Sequence, residues 1–176
     1  WLYAGLADSR TPWNVLAQQV PLMQRDLNPS PDILVTHQDK WDSAPAARDR
    51  LFKVIEEAKT PGIVSVDGDV HANWAGDLKK DFADMKSATL GVDLVSTSIT
   101  SEGDGADTKP SNARMAASNP HIKFYNDNRG YLRNVVTPDL WRADFRIVAK
   151  VSVRDQPVLT RRSLVVEARS PGLKDA

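Results

Sequence analysis

At 176 residues the chain is the size of one ordinary domain, long enough to bury about two thirds of its unfolded surface. Its 23 Lys and Arg balance 23 Asp and Glu, so no strongly basic face for nucleic acid is implied, and the pairs at 79–80 and 161–162 read as solvated surface. There is no cysteine and no apolar run near twenty residues, which excludes disulfides, cysteine-held zinc and a transmembrane helix.

In chain order, residues 1–8 carry Leu2, Ala4, Leu6 and Ala7 and read as the end of a helix. Pro12 opens a new element, and 13–20 reads as a strand with apolar residues on both faces. Gln18 and Gln19 are unusual within it: they either support a site from behind or lie on an edge strand. Pro21, Pro29 and Pro31 break up 21–42, a long loop of the kind that is functional or mobile. The clearest helix is 44–59, with Pro45 suited to its first turn and Ala47, Leu51, Val54, Ile55 and Ala58 at helical spacing. Thr60, Pro61 and Gly62 stop it, and the apolar Ile63, Val64 and Val66 begin a buried strand. This α-then-β step builds an α/β layer.

Residues 88–100 have strand composition, and 101–120, rich in Gly, Asp, Ser and Pro, read as an exposed loop. The segment 121–138 reads as a β-hairpin turning at 126–130, Asn-Asp-Asn-Arg-Gly. Within 140–153, Trp141, Ala143, Phe145 and Ile147 alternate with Arg142, Asp144 and Arg146, giving one buried and one wet face. Residues 157–168 repeat that pattern. The order is an α/β layer followed by an antiparallel β region, half of a two-sheet sandwich flanked by helices.

The chemistry concentrates at 63–74, IVSVDGDVHANW. A strand ends there in Asp67 and Gly68, followed by Asp69 and His71. Two residues apart, Asp69 and His71 point the same way if the extended backbone continues. A carboxylate and an imidazole together at a strand end are donors for a hydrolytic metal ion. The competing reading is a surface loop with a backbone-bonded histidine. Asn73 and Trp74 are expected in the following turn, where Asn73 is a candidate for binding a phosphate oxygen and Trp74 packs. Asp67 either adds negative charge near a cation or faces solvent, the second being preferred. Arg129 has two readings, a phosphate contact through its guanidinium or an ordinary surface arginine. Asp42 either caps the helix that follows or meets a ligand. The hydroxyls of 96–101 have no nearby base, so none is assigned as a nucleophile.

Six segments, 13–26, 41–51, 67–82, 96–105, 119–148 and 165–173, occur in register with the C-terminal half of PhoD-type alkaline phosphatase/phosphodiesterases, which this chain resembles along nearly its whole length. The resemblance implies an α/β (α+β) fold, the C-terminal half of a calcineurin-like αββα sandwich. It implies a metal-dependent phosphoesterase releasing phosphate from mono- and diesters, with Ca2+ and Fe3+ as cofactors. The frame Gly68-Asp69-Val70-His71 is similar to the last metal motif of calcineurin-like phosphoesterases, with Asp69 in place of the first histidine. A carboxylate there is a harder donor, suited to calcium or ferric iron. Ser43 and Ala44 stand where the family usually has Gly and Tyr, which implies an altered substrate rim. The family's N-terminal metal motifs are absent and the chain opens at Trp1, so 1–176 reads as part of a catalytic domain, a fragment or a truncated product, weakly active or inactive alone. Expected partners are a phosphate ester and either the missing half or a second copy. The compartment that the resemblance implies is periplasmic or secreted.

Overall fold

The computed structural model describes residues 1–28, 30, 33–108, 115 and 118–176. Helix α1 (Leu2–Asp8) leads into strand β1 (Asn14–Ala17), and a long irregular segment ends in a 3-10 turn at Trp41–Ser43. Helix α2 (Pro45–Ala58) follows, then β2 (Ile63–Asp67), β3 (Asn73–Lys79) and β4 (Thr89–Val95). Then come β5 (Ile122–Asn126), β6 (Gly130–Val136), β7 (Leu140–Ile147), β8 (Leu159–Glu167) and β9 (Ser170–Asp175).

The first sheet runs β1-β2-β4-β3-β5, with β1, β2 and β4 parallel and β3 antiparallel to both of its neighbours. The second sheet, β6-β7-β8-β9, is antiparallel throughout. Two apolar layers hold them. Leu51, Phe52 and Ile55 of α2 pack with Ile63, Leu78 and Val95 on one side of the first sheet. Val64, Val92 and Leu94 on its other side meet Trp141, Phe145 and Leu164 of the second sheet. Each such side chain contributes roughly 1.5–3 kcal/mol on burial. The result is one helical layer on two sheets, a partial α/β sandwich, as the sequence predicts.

Helix α2 begins with Pro45 in its first turn and ends at Lys59, which takes the left-handed conformation (φ 52). Gly62 (φ +52) then lets the chain pass Pro12, whose carbonyl oxygen would lie 1.9 Å from any Cβ there. These two devices aim β2 into the centre of the sheet.

Three sequence expectations are corrected. Asn73 and Trp74 are not in a turn but open strand β3, which lies between β4 and β5 and is buried on nearly every residue. Residues 121–138 are not a hairpin: β5 pairs with β3 in the first sheet and β6 with β7 in the second. The connection 127–129 carries the chain between sheets and is buried, which a solvent-facing hairpin turn would not be. Asp144 lies on the outward face as expected but is not wet. It is 0% exposed, roofed by Arg133 Nη2 at 2.6 Å, Arg142 Nε at 2.8 Å and Ser163 Oγ at 2.6 Å. Burial alone would raise its pKa, but the bonds from Ser163, Arg133 and Arg142 hold it down at about 2. Residues 170–175 form an edge strand that the sequence pattern does not announce.

Candidate functional site

Strands β2 and β4 run parallel, and the chain leaves both at the same end of the sheet, where α/β proteins place their ligands. The turn from β2 to β3 spans only residues 68–72. Within it the Val70 N–H donates to the Gly68 carbonyl at 2.9 Å, so Asp69 is the centre of a γ-turn with φ 70. His71 is also left-handed, with φ 51. The expectation of a continuing extended backbone is therefore corrected: the strand stops at Asp67 and two non-glycine residues take sparsely populated conformations. Such strain in so short a turn marks a place where side-chain position is over-determined by its surroundings.

The turn nevertheless brings Asp69 and His71 to one cleft of about 580 Å3, shared with Arg25, His37, Lys40 and Trp74. The Lys40 ammonium lies against the Asp69 carboxylate and reaches Asp39 at 3.1 Å. Burial would lower the Lys40 pKa, but the bonds to Asp69 and Asp39 outweigh it and the pKa is raised. His71 Nδ1 lies 3.2 Å from Glu102 Oε1, and the Thr97 hydroxyl donates to the His71 carbonyl at 3.1 Å.

Asn73 and Arg129 are placed elsewhere. Asn73 is 0% exposed; its amide donates to Asn126 Oδ1 at 3.3 Å and its Oδ1 accepts from the Thr97 N–H at 3.2 Å. Arg129 is 1% exposed and donates to Ser98 Oγ and to the Ser101 carbonyl, both at 2.8 Å. Both side chains brace the loops behind the cleft and neither lines it. Asp42 does not cap α2. Its Oδ1 pairs with Arg48 at 2.6 Å and its Oδ2 accepts the Arg25 N–H at 3.1 Å.

Asp67, expected in solvent, is buried beneath the cleft beside Asp93. Burial, then the neighbouring Asp93 carboxylate, push the Asp67 pKa up, with the Ser65 bond and the Arg25 charge opposing them. Asp93 Oδ2 in turn accepts the N–H groups of Leu22 at 2.9 Å and Met23 at 2.7 Å. A chain of hydrogen bonds runs inward: Trp41 Nε1 to Gln18 at 2.6 Å, Gln18 to Ser65 at 3.0 Å and Ser65 to Asp67 at 3.1 Å. This places Gln18 as a supporting group behind the site.

Arg25, His37 and Lys40 are absent from the sequence reading of the site. They come from the irregular 21–42 segment, where no periodicity assigns faces. The one available signal was the adjacency of Lys40 to the Trp41-Asp42 motif.

The polar cleft lies at the carboxyl ends of a mixed sheet backed by a second sheet, an α/β sandwich, and residues 1–145 match the PhoD-like phosphatase family. The chain belongs to that family. It is 39% identical over 174 residues to alkaline phosphatase D of Bacillus subtilis (strain 168), a match covering 99% of this chain and 30% of that protein. A solved structure of PhoD superposes with a TM-score of 0.95 at 39% identity, over 100% of this chain and 34% of that one. The chain thus spans about a third of the length of these relatives.

Family membership raises the question of metals. Asp69 and His71 are suitable donor types, but each faces another partner, Lys40 and Glu102. Among the described residues no group of three or more His, Cys, Asp or Glu side chains is gathered closely enough to hold a metal ion. The described residues do not make a complete metal shell, and no chemical step is derived through one.

Proposed function

We propose that this chain is part of a phosphoesterase that releases phosphate from phosphomono- and diesters in the Asp69/His71 cleft. The supporting observation is the convergence of a carboxylate and an imidazole on one strand-end cleft in a chain of the PhoD-like phosphatase family. In this reading Asp69 and His71 supply two donors to the calcium and iron centre that the resemblance implies. The remaining donors come from outside the described residues. Asp93, through the Leu22 and Met23 N–H groups, fixes the segment that carries Arg25 to the cleft. An exported location accompanies the same reading.

A second reading is a non-catalytic module that binds a cation, phosphate or a partner. The seating of Lys40 on Asp69 favours it, since a tethered ammonium already occupies the carboxylate. Metal analysis together with hydrolysis of bis-p-nitrophenyl phosphate decides between the two. Metal-dependent turnover that falls at least ~100-fold in Asp69→Asn and His71→Ala, with the fold intact, supports the enzyme. Unchanged turnover in both variants rejects the assigned site, and a lack of turnover even when the chain is combined with the N-terminal part of a full-length relative favours the module.

A further inference from the structure

Arg25 lines the cleft, and among the described residues no hydrogen-bond acceptor meets its guanidinium. The backbone around it is pinned on both sides. Asp93 takes the N–H groups of Leu22 and Met23, Asp42 takes that of Arg25, and Asn119 Oδ1 takes that of Asp26 at 2.8 Å. The residue is only 6% exposed, its guanidinium lies 5.2 Å from the centre of the Trp74 ring, and it lines the same cleft as Asp69 and His71.

A guanidinium carries five N–H donors and cannot shed its charge. The other buried arginines use theirs: Arg48 bonds Asp42 and the Leu22 carbonyl, and Arg129 bonds Ser98, Ser101 and Asp127. Among the described residues no hydrogen bond or ion pair takes up the guanidinium of Arg25. Asp42, Asp93, Asp67 and Asp39 act on it through space, but burial outweighs them and its pKa is lowered. The nearer carboxylates are engaged elsewhere, Asp42 by Arg48 and Asp93 by the Leu22 and Met23 amides. A largely buried guanidinium whose nitrogens face only the cleft is poorly solvated, and an oxyanion that accepts two of its N–H groups offsets that cost.

We propose that Arg25 is a phosphoryl-binding residue, its planar fork donating to two non-bridging oxygens of a phosphate group in this cleft, with Trp74 fixing the plane of the fork. The assignment of that phosphate as substrate rests on the phosphoesterase reading.

Inorganic phosphate is the probe, titrated by calorimetry into the 176-residue chain and into its Arg25→Met and Arg25→Lys variants, with Arg10→Met as an exposed control and thermal melts as a check on folding. Phosphate affinity falls at least about tenfold in Arg25→Met, in part in Arg25→Lys, and not in Arg10→Met. Should Arg25→Met fail to fold, Arg25→Lys carries the test, because it keeps the charge and loses the fork. Phosphate affinity equal to that of the parent in the folded Arg25 variants, or no phosphate binding by the parent chain, overturns the proposal. The two readings separate cleanly. Phosphate bound through Arg25 keeps this subsite whether or not the chain hydrolyses esters. Ester hydrolysis whose KM is unchanged in both Arg25 variants keeps the enzyme and removes the subsite.

Discussion

Lys40 sets its ammonium against the carboxylate of Asp69, with 9% of the lysine side chain and 46% of the aspartate side chain exposed. The contact joins the end of the irregular 21–42 segment to the strained turn after β2. It also fills a carboxylate oxygen that a divalent cation would use. Replacing Lys40 by Met removes the competitor and leaves the stem's apolar packing in place. Calcium binding, followed by calorimetry, is expected to tighten about fivefold, the equivalent of roughly 1 kcal/mol for a partly exposed ion pair. Equal or weaker binding in Lys40→Met shows that the ammonium does not compete.

The turn at Asp69 separates stability from function. Its φ of 70 is a conformation that glycine adopts without steric cost. In Asp69→Gly the relief of strain offsets the added freedom of the unfolded chain, each about 1 kcal/mol. Denaturant unfolding should therefore show stability within about 0.5 kcal/mol of the parent, while any metal-dependent hydrolysis drops at least ~100-fold. A large fall in stability would show that the carboxylate is retained for its contact with Lys40 and not for a ligand.

How far the sequence reaches depends on how local the deciding interaction is. Helix α2 is legible because its signals are adjacent: Pro45 at the start, Leu51, Phe52 and Ile55 at helical spacing, Lys59 to Gly62 at the stop. Strands β2 and β4 announce themselves as short apolar runs. Strand β3 does not, because a central strand buried on both faces loses the alternation, and Asn73, Asp77 and Lys79 interrupt the apolar residues. The residues 126–130 have turn chemistry whether the chain folds back or crosses to another sheet. What decides for crossing is distant: the Arg129 guanidinium bonded to Ser98 and Ser101 and the Gly130 N–H bonded to the Ser98 carbonyl at 3.2 Å. The same holds for the cleft. Asp69 and His71 are legible by residue type, while Arg25 and Lys40 arrive from a segment whose course is set by Asp93 and Asp42.

Asp144 lies under two arginines on the outer face of the second sheet. Loss of its charge leaves Arg133 and Arg142 facing one another, but both are about half exposed and keep water as a partner. Asp144→Asn should therefore cost about 2 kcal/mol, below the 3–5 kcal/mol of a fully buried broken pair. Single Arg133→Ala or Arg142→Ala changes should cost no more than ~1 kcal/mol each, since the remaining arginine and Ser163 still satisfy the carboxylate. Chemical denaturation of the three variants checks the ordering. Its reversal would place the stabilisation in the arginine stems.

His121 gives the fold its mild-acid sensitivity. It is 2% exposed, packed 4.7 Å from the Phe82 ring, and its Nε2–H donates to the Gln24 carbonyl at 2.8 Å. Nδ1 is buried with no partner among the described residues, so there is no acceptor for a second proton. Burial, only partly offset by the Gln24 bond, lowers the pKa from 6.5 to about 4. With the folded value below the unfolded one, the unfolded chain binds more protons between them. Stability therefore falls as pH drops from about 6.5 towards 4, by roughly 3 kcal/mol in total. The depressed Asp144 acts in a lower window: its contribution is present above the ordinary carboxylate value near 3.8 and is lost as pH falls towards 2. His121→Gln, which keeps an N–H donor for Gln24 and cannot titrate, should lower stability at pH 7 yet flatten the loss between pH 6.5 and 4. Melts at half-unit pH steps distinguish the two profiles, and parallel curves for parent and variant across that window would assign the acid sensitivity to another group.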